Sequence, residues 1–214
     1  MLKVNEIFYS IQGESTFAGW PCVFIRLTGC NLRCRYCDTK YAYEQGHDIP
    51  LDSILARVKG FACNLVEVTG GEPLIQDETP DLISALIENG YTVLLETNGS
   101  KDISTVDKRC VRIVDIKCPS SGMEKNNYWK NLDYLNSHDQ LKFVIALRED
   151  YLYAKKVLDN PAIKGRKNLK VNFSPVFNEM DIKELANWIL EDHLQVRLHF
   201  QLQKYIWGEN TRGV

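Results

Sequence analysis

Apolar residues in this chain gather into short runs that recur at fairly even spacing from one end to the other. Seven runs read as strands: 22–28 (CVFIRLT), 65–69 (LVEVT), 91–96 (YTVLLE), 111–116 (VRIVDI), 141–146 (LKFVIA), 169–173 (LKVNF) and 195–201 (QVRLHFQ). Most are continuous rather than alternating, the pattern of strands covered on both faces. Between them lie segments of helical period at 51–61, 80–89, 128–136, 149–158 and 181–191. In the last, Ile182, Leu185, Ala186, Ile189 and Leu190 recur at three-and-four spacing and predict one apolar face. Asn89-Gly90 supplies a helix stop, since glycine takes the left-handed conformation without steric cost.

Strand and helix therefore alternate with short connections, which predicts parallel strands joined by right-handed crossovers. The fold class is α/β, as a doubly wound sheet or as a whole or partial (β/α) barrel. Six or seven units are too few for a closed barrel of eight. No linker, low-complexity segment or long charge run divides the 214 residues, so a single domain is expected.

Composition narrows the function classes. With 44% hydrophobic and 25% charged residues and a formal net charge of -2, the chain can bury a core without disulfides. It lacks the basic excess that a nucleic-acid binder needs to replace phosphate counterions. The opening MLKVNEIFYSIQGES has neither the apolar stretch of a signal peptide nor the Arg-rich character of a transit peptide. No run approaches a membrane span, and a cytoplasmic location is the expectation. In that reducing compartment seven cysteines point to metal or catalytic use.

Three of them concentrate the chemistry. TGCNLRCRYCDTKY places Cys30, Cys34 and Cys37 in a C-x3-C-x2-C loop directly after a strand, flanked by Gly29, Asn31, Arg33 and Arg35. Three thiolates on a 4Fe-4S cubane leave one iron open to a ligand. Zinc is the alternative metal, although the four histidines, at 47, 138, 193 and 199, do not complete a zinc pattern. Cys22, Cys63 and Cys110 lie in or beside apolar runs and read as small core residues. Thr69-Gly70-Gly71-Glu72-Pro73 closes a predicted strand, where two glycines let the main chain approach a ligand and a carboxylate can pair with an ammonium group.

By C-x3-C-x2-C and Gly-Gly-Glu-Pro the chain resembles the radical S-adenosylmethionine (SAM) superfamily. The resemblance implies a partial (β/α)6-type barrel and a 4Fe-4S cluster whose open iron is chelated by SAM. It also implies hydrogen-atom abstraction by a 5'-deoxyadenosyl radical. Gly70, Gly71 and Glu72 would then hold the amino end of SAM, with Tyr36 and Asp38 beside the cluster as further cofactor contacts.

Thr97-Asn98-Gly99, Lys117-Cys118-Pro119-Ser120, the N-terminal NEIFYSIQGESTFAGWPCVFIRLTGC and the C-terminal LQLQKYIWGENTRGV are similar to the 7-carboxy-7-deazaguanine synthases, over almost the whole chain. What that family implies is conversion of 6-carboxy-5,6,7,8-tetrahydropterin to 7-carboxy-7-deazaguanine with loss of ammonia, in queuosine and 7-deazapurine biosynthesis. Ile11, Gln12, Gly13, Glu14, Arg26 and Thr97 map to substrate contacts, and Gly99, Cys118, Pro119 and Ser120 to SAM contacts. Ser174, Pro175, Val176 and Phe177 map to a further SAM-lining loop, and Thr39 to a Mg²⁺ ligand. Residues 1–21 would grip the substrate and 202–214 would close the site. Gln203 stands where a Gln-x-His-Lys pattern carries histidine, so no titrating group is supplied there near pH 7. The family further implies a homodimer reduced by a flavodoxin or ferredoxin. A glycyl-radical activating enzyme shares the cysteine motif and is the second reading. A noncatalytic iron-sulfur or zinc protein is the third, though a purely structural site does not need the Gly-Gly-Glu-Pro and Asn-Gly elements.

Overall fold

The computed structural model describes residues 1–166, 168–209 and 211–214. These residues form one nine-stranded sheet, ordered β3-β1-β2-β4-β5-β6-β7-β8-β9. Its strands are β1 (Leu2–Ile11), β2 (Pro21–Leu27), β3 (His47–Ile49), β4 (Leu65–Gly70), β5 (Thr92–Thr97), β6 (Val111–Asp115), β7 (Gln140–Ile145), β8 (Lys170–Pro175) and β9 (Arg197–Leu198). From β2 onward every pairing is parallel, while β1 runs antiparallel to both β2 and β3. Six full parallel strands curl into an open, partial barrel, and the two-residue β9 ends it.

Helices α1 (Leu51–Gly60), α2 (Thr79–Glu88), α4 (Arg148–Leu158) and α5 (Ile182–Glu191) follow the predicted periods closely. The period over 128–136 yields only the single turn α3 (Asn131–Tyr134). On α5, Leu185 and Ile189 are buried, but Leu190 is 70% exposed and lies off the packed face. Three elements were not foreseen: β1, β3 and the C-terminal α6 (Leu202–Trp207). β1 reads LKVNEIFYSI, in which Asn5 and Glu6 interrupt the alternation at the point where its register with β2 shifts.

The apolar side chains face outward from the barrel toward the helices. Val23, Ile25, Leu27, Val66, Val68, Val93 and Leu95 meet Ile54 and Val58 of α1 and Leu82, Ile83 and Leu86 of α2. On the other half, Leu141, Phe143, Ile145, Val171 and Phe173 pack on Tyr151, Ala154, Leu185 and Ile189. Leu94, Val111 and Ile113, with Phe17 and Leu65 against them, form a separate small cluster on the alternate strand positions. Many other inner positions are polar, beside Phe8, Phe24 and Val144: Gln12, Glu67, Asp115, Lys117 and Asn172 are all buried, and Lys142 and Glu96 join them. The strands are thus covered on both faces, but one cover is an assembly of charged groups rather than apolar core.

Candidate active site

The carboxyl ends of the parallel strands open on a cavity of about 750 Å³. Its wall carries Cys30, Cys34 and Cys37 together with Tyr36, Asp38, Thr39, Gly70, Gly71 and the Ser174–Phe177 loop. The substrate contacts expected at Ile11, Gln12, Gly13, Glu14, Arg26, Thr97 and Gln203 line the same cavity. Residues from both ends of the sequence therefore meet around one space, as ligand sites in parallel α/β folds do.

Cys30 is fixed by its neighbours. Leu32 N donates to its Sγ at 3.4 Å and Asn98 Nδ2 at 3.7 Å, donors that suit a thiolate bound to iron. Burial raises the thiol pKa values of Cys30 and Cys34. Among the described residues no three Cys, His, Asp or Glu side chains converge on a single-ion site. Cys30, Cys34 and Cys37 all face the cavity, where a cluster they held would be open to a ligand. Gly71 makes the adjacent close approach: a Cβ there would collide with the Gly29 carbonyl and the Cys30 Cβ.

Five expected cofactor contacts lie elsewhere. Glu72 is fully buried, and its carboxylate accepts from Thr97 Oγ1 at 2.9 and 3.0 Å, Asn98 N at 2.6 Å and Leu74 N at 3.0 Å. Burial nevertheless keeps its pKa above the ordinary value, with these donors opposing. Glu72 thus ties β4 to β5 and is off the cavity wall, leaving the glycine backbone to face a ligand. Gly99, Cys118, Pro119 and Ser120 are also off the wall. Gly99 O accepts from Tyr128 N and Asn131 Nδ2, Cys118 is fully buried, and Ser120 is held by Asp150 and Arg35. The strand end just before them supplies Asp115 and Lys117 to the wall instead, joined at 2.7 Å. Asp115 Oδ1 is buried with no partner among the described residues, a free acceptor that fits a ligand hydroxyl or ammonium group.

Opposite the cysteines, Lys142 from β7 binds Glu14 and, at 3.1 Å, Glu96. Gln12 Nε2 donates to Glu67, and Glu14 N donates to Gln12 Oε1 at 2.8 Å. Burial opposes ionisation of Glu14, but Lys142 and further donors outweigh it and hold that carboxyl well below the usual range. Glu67 and Glu96 go the other way. Burial and the neighbouring Glu14 charge push Glu67 to about 7, and burial raises Glu96 to about 8 against the attraction of Lys142. One lysine thus serves three buried carboxyls, of which one holds its charge and two keep a proton near neutrality.

Arg26 faces the cavity between the rings of Phe8 and Tyr41, each 5.7 Å from its guanidinium carbon, and its Nε donates to Glu6 Oε1 at 2.7 Å. The partner that a half-buried arginine needs is therefore supplied by β1. The C-terminal helix closes this side. Gln201 and Gln203 both donate to Glu14 Oε1, Lys204 Nζ reaches Asp38 Oδ2 at 2.8 Å, and Leu202 N donates to Gly13 O at 3.1 Å. A Cβ on Gly13 would collide with the Gln203 side chain, so glycine there permits the two termini to meet. Thr39 Oγ1 lies 2.9 Å from Asp38 Oδ1.

Sequence reasoning gave no role to Glu67, Glu96, Asp115, Lys117 and Lys142. The signal was present: a single charged residue inside an otherwise apolar strand run, as in LVEVT and LKFVI, marks the inward side.

Comparison with known proteins agrees with this geometry. The Radical SAM superfamily profile matches residues 24–115, and that superfamily implies a 4Fe-4S cluster and SAM. A 7-carboxy-7-deazaguanine synthase of Chlorobaculum tepidum is 48% identical, with 100% of this chain and 97% of the relative covered. A second, of Koribacter versatilis, is 42% identical with 100% of both chains covered. The crystal structure of QueE from Escherichia coli shares the fold with a TM-score of 0.75 at 24% identity, covering 94% of each chain. With a cysteine-lined open barrel and relatives this similar along their whole length, the chain belongs to the 7-carboxy-7-deazaguanine synthase family of radical SAM enzymes.

Proposed function

We propose that the chain converts 6-carboxy-5,6,7,8-tetrahydropterin to 7-carboxy-7-deazaguanine with loss of ammonia, serving queuosine and 7-deazapurine biosynthesis. The observation that carries this reading is the meeting, in one cavity, of the three cysteines with Arg26 and the Gln12, Glu14, Lys142 group. Cys30, Cys34 and Cys37 would hold the cluster, and the Gly70-Gly71 backbone, Tyr36, Asp115 and the Ser174–Phe177 loop would hold SAM. Cluster and SAM, when bound, would supply the radical chemistry for hydrogen-atom abstraction from the pterin.

The rest of the task falls to side chains. Arg26, already oriented by Glu6, offers its remaining N–H donors to the substrate carboxylate. Gln12, Glu14 and the readily protonated Glu67 and Glu96 present the mixed donors and acceptors that a pterin edge requires. Thr39 would contribute one oxygen to Mg²⁺, the substrate and water providing the others, which agrees with a cation that takes few protein ligands. The C-terminal helix excludes water by closing on the Gly13-Glu14 loop. A cytoplasmic homodimer, with a flavodoxin or ferredoxin as electron donor, completes the reading. Among the described residues no helix is long and apolar enough to cross a membrane.

The test is anaerobic incubation of the reduced, reconstituted protein with SAM, Mg²⁺ and 6-carboxytetrahydropterin, followed by mass analysis, with Cys34→Ala as control. Formation of 7-carboxy-7-deazaguanine by the native chain alone is the expected result. SAM cleavage without that product would overturn the substrate assignment.

A further inference from the structure

Beyond the C-terminal helix the chain turns back onto the cavity. Gly208 N donates to Lys204 O at 3.1 Å and ends α6, and a φ of 92° at Gly208 reverses the backbone, a conformation that glycine takes without a clash. Thr211 Oγ1 donates to Trp207 O at 2.6 Å and fixes the turn. Thr211, Arg212, Gly213 and Val214 then line the cavity.

Arg212 lands on Tyr41, its guanidinium carbon 4.0 Å from the ring centroid. Arg26 faces the same ring at 5.7 Å. Tyr41 Oη donates to Glu6 Oε1 at 3.1 Å, the oxygen that also accepts from Arg26 Nε at 2.7 Å. The tail passes the other oxygen of that carboxylate, where a Cβ on Gly213 would lie 4.0 Å from Glu6 Oε2. Tyr41 and Glu6 thus tie both arginines to one corner of the wall. A guanidinium lying on an aromatic face is held there, and its edge keeps N–H donors free for a planar carboxylate.

Charge in this corner does not balance. Among the described residues Glu6 is the one carboxylate within 4.0 Å of Arg26, and Arg212 has none. Other acids on the wall are engaged: Asp38 by Lys204, Glu179 by Arg35 and Glu209 by Asn178. Two guanidinium groups therefore meet one carboxylate at the Tyr41 ring, the reverse of the excess of carboxyls around Lys142. An anionic ligand group seated there removes the surplus.

We propose that Arg212 is a specificity-determining residue: from the C-terminal tail it joins Arg26 in holding the carboxylate of the bound pterin, and so selects carboxylated over uncarboxylated pterins. The inference rests on the pterin reading of the cavity and deepens it.

The test compares two non-reacting ligands that differ only in the carboxylate, 6-carboxypterin and pterin. Dissociation constants are measured on the reconstituted, SAM-loaded but unreduced protein, native and Arg212→Gln, together with KM and kcat of turnover and the melting temperature. Arg212 is exposed, so glutamine should leave melting unchanged. The native chain is expected to prefer 6-carboxypterin. Arg212→Gln is expected to weaken that binding and raise KM about tenfold, the lower end for a charged hydrogen bond, while pterin binding and kcat are retained. Unchanged 6-carboxypterin binding and KM in Arg212→Gln overturn the proposal. So does an equal loss for both ligands, the mark of a tail that merely covers the site. A native chain that binds the two ligands equally overturns the proposal and leaves the pterin reading standing. If the native chain binds neither ligand and forms no deazaguanine, the pterin reading fails and the proposal with it.

Discussion

Two buried charge systems lie on neighbouring strands of this sheet, and they are built in opposite ways. On β6, Arg112 is 1% exposed and forks onto Asp139, which is 0% exposed. Arg112 also donates to Tyr134 O at 2.8 Å, and Asp139 also accepts from Arg112 N at 2.8 Å and Asn136 N at 2.6 Å. One cation meets one anion, and the surplus donors and acceptors end on the main chain. On β7, Lys142 faces Glu14, Glu96 and the nearby Glu67, so carboxyls outnumber ammonium groups three to one. The first system is closed and fastens loops. The second is left with protonated acids and a free Gln203 oxygen, and it faces the cavity. Imbalance inside a fold is tolerated where a ligand is to complete it.

The comparison breaks most visibly through the cavity. Cys34→Ala should reduce SAM cleavage below detection with the fold intact by circular dichroism. Lys142→Met should lower turnover by about 10²- to 10³-fold, the usual scale for removing one preorganised charge. Its melting temperature should hold, since Glu14 can protonate once its cation is gone. Arg26→Ala should raise the KM for the pterin by roughly 10- to 100-fold, the worth of a charged hydrogen-bond pair, with the iron-sulfur absorption unchanged. An unchanged KM in Arg26→Ala would sink the carboxylate assignment. The closed system should answer in stability instead. Arg112→Met strands a buried aspartate and should cost about 3–5 kcal/mol in denaturant unfolding, while kcat per folded molecule stays the same.

How far the sequence discloses this plan depends on which physical signal each part leaves. The outer core was legible because apolar periodicity records burial directly, and α1, α2, α4 and α5 appear within a residue or two of their expected bounds. The cysteine loop was legible because its chemistry fixes its spacing. β1 was not, because the Asn5-Glu6 interruption at a register shift erases the alternation that a strand should show. Glu72's hydrogen bonds were hidden for another reason. The Gly-Gly-Glu-Pro spelling puts a carboxylate near the ligand, but only coordinates show that Thr97 and Asn98 claim its oxygens. Gly99, Cys118, Pro119 and Ser120 mark strand ends at the cavity, where Asp115 and Lys117 are the side chains that line the wall. Lys142 and its carboxyls come from strands far apart in sequence, and their meeting is a product of barrel curvature that no local pattern contains.

The smallest expected effect sharpens the contrast through pH. Glu67 has its pKa raised to about 7 in the fold, chiefly by burial, against an ordinary value of 4.5. Between those values the folded chain retains a proton that the unfolded chain has released, so stability falls as pH rises through that window. Glu67→Gln keeps the shape and the hydrogen-bonding capacity toward Gln12 but cannot ionise. It should therefore unfold like the native chain near pH 4.5 and prove more stable by an amount on the order of 1 kcal/mol at pH 8. Asp139→Asn should show no such gain at any pH, because its partner Arg112 would be left buried and uncompensated. Urea midpoints for the two variants across pH 5 to 8 decide the matter. Parallel curves for native and Glu67→Gln would mean that Glu67 is ionised throughout, and that Lys142 and Arg26 neutralise more of this site than the arrangement of its carboxyls indicates.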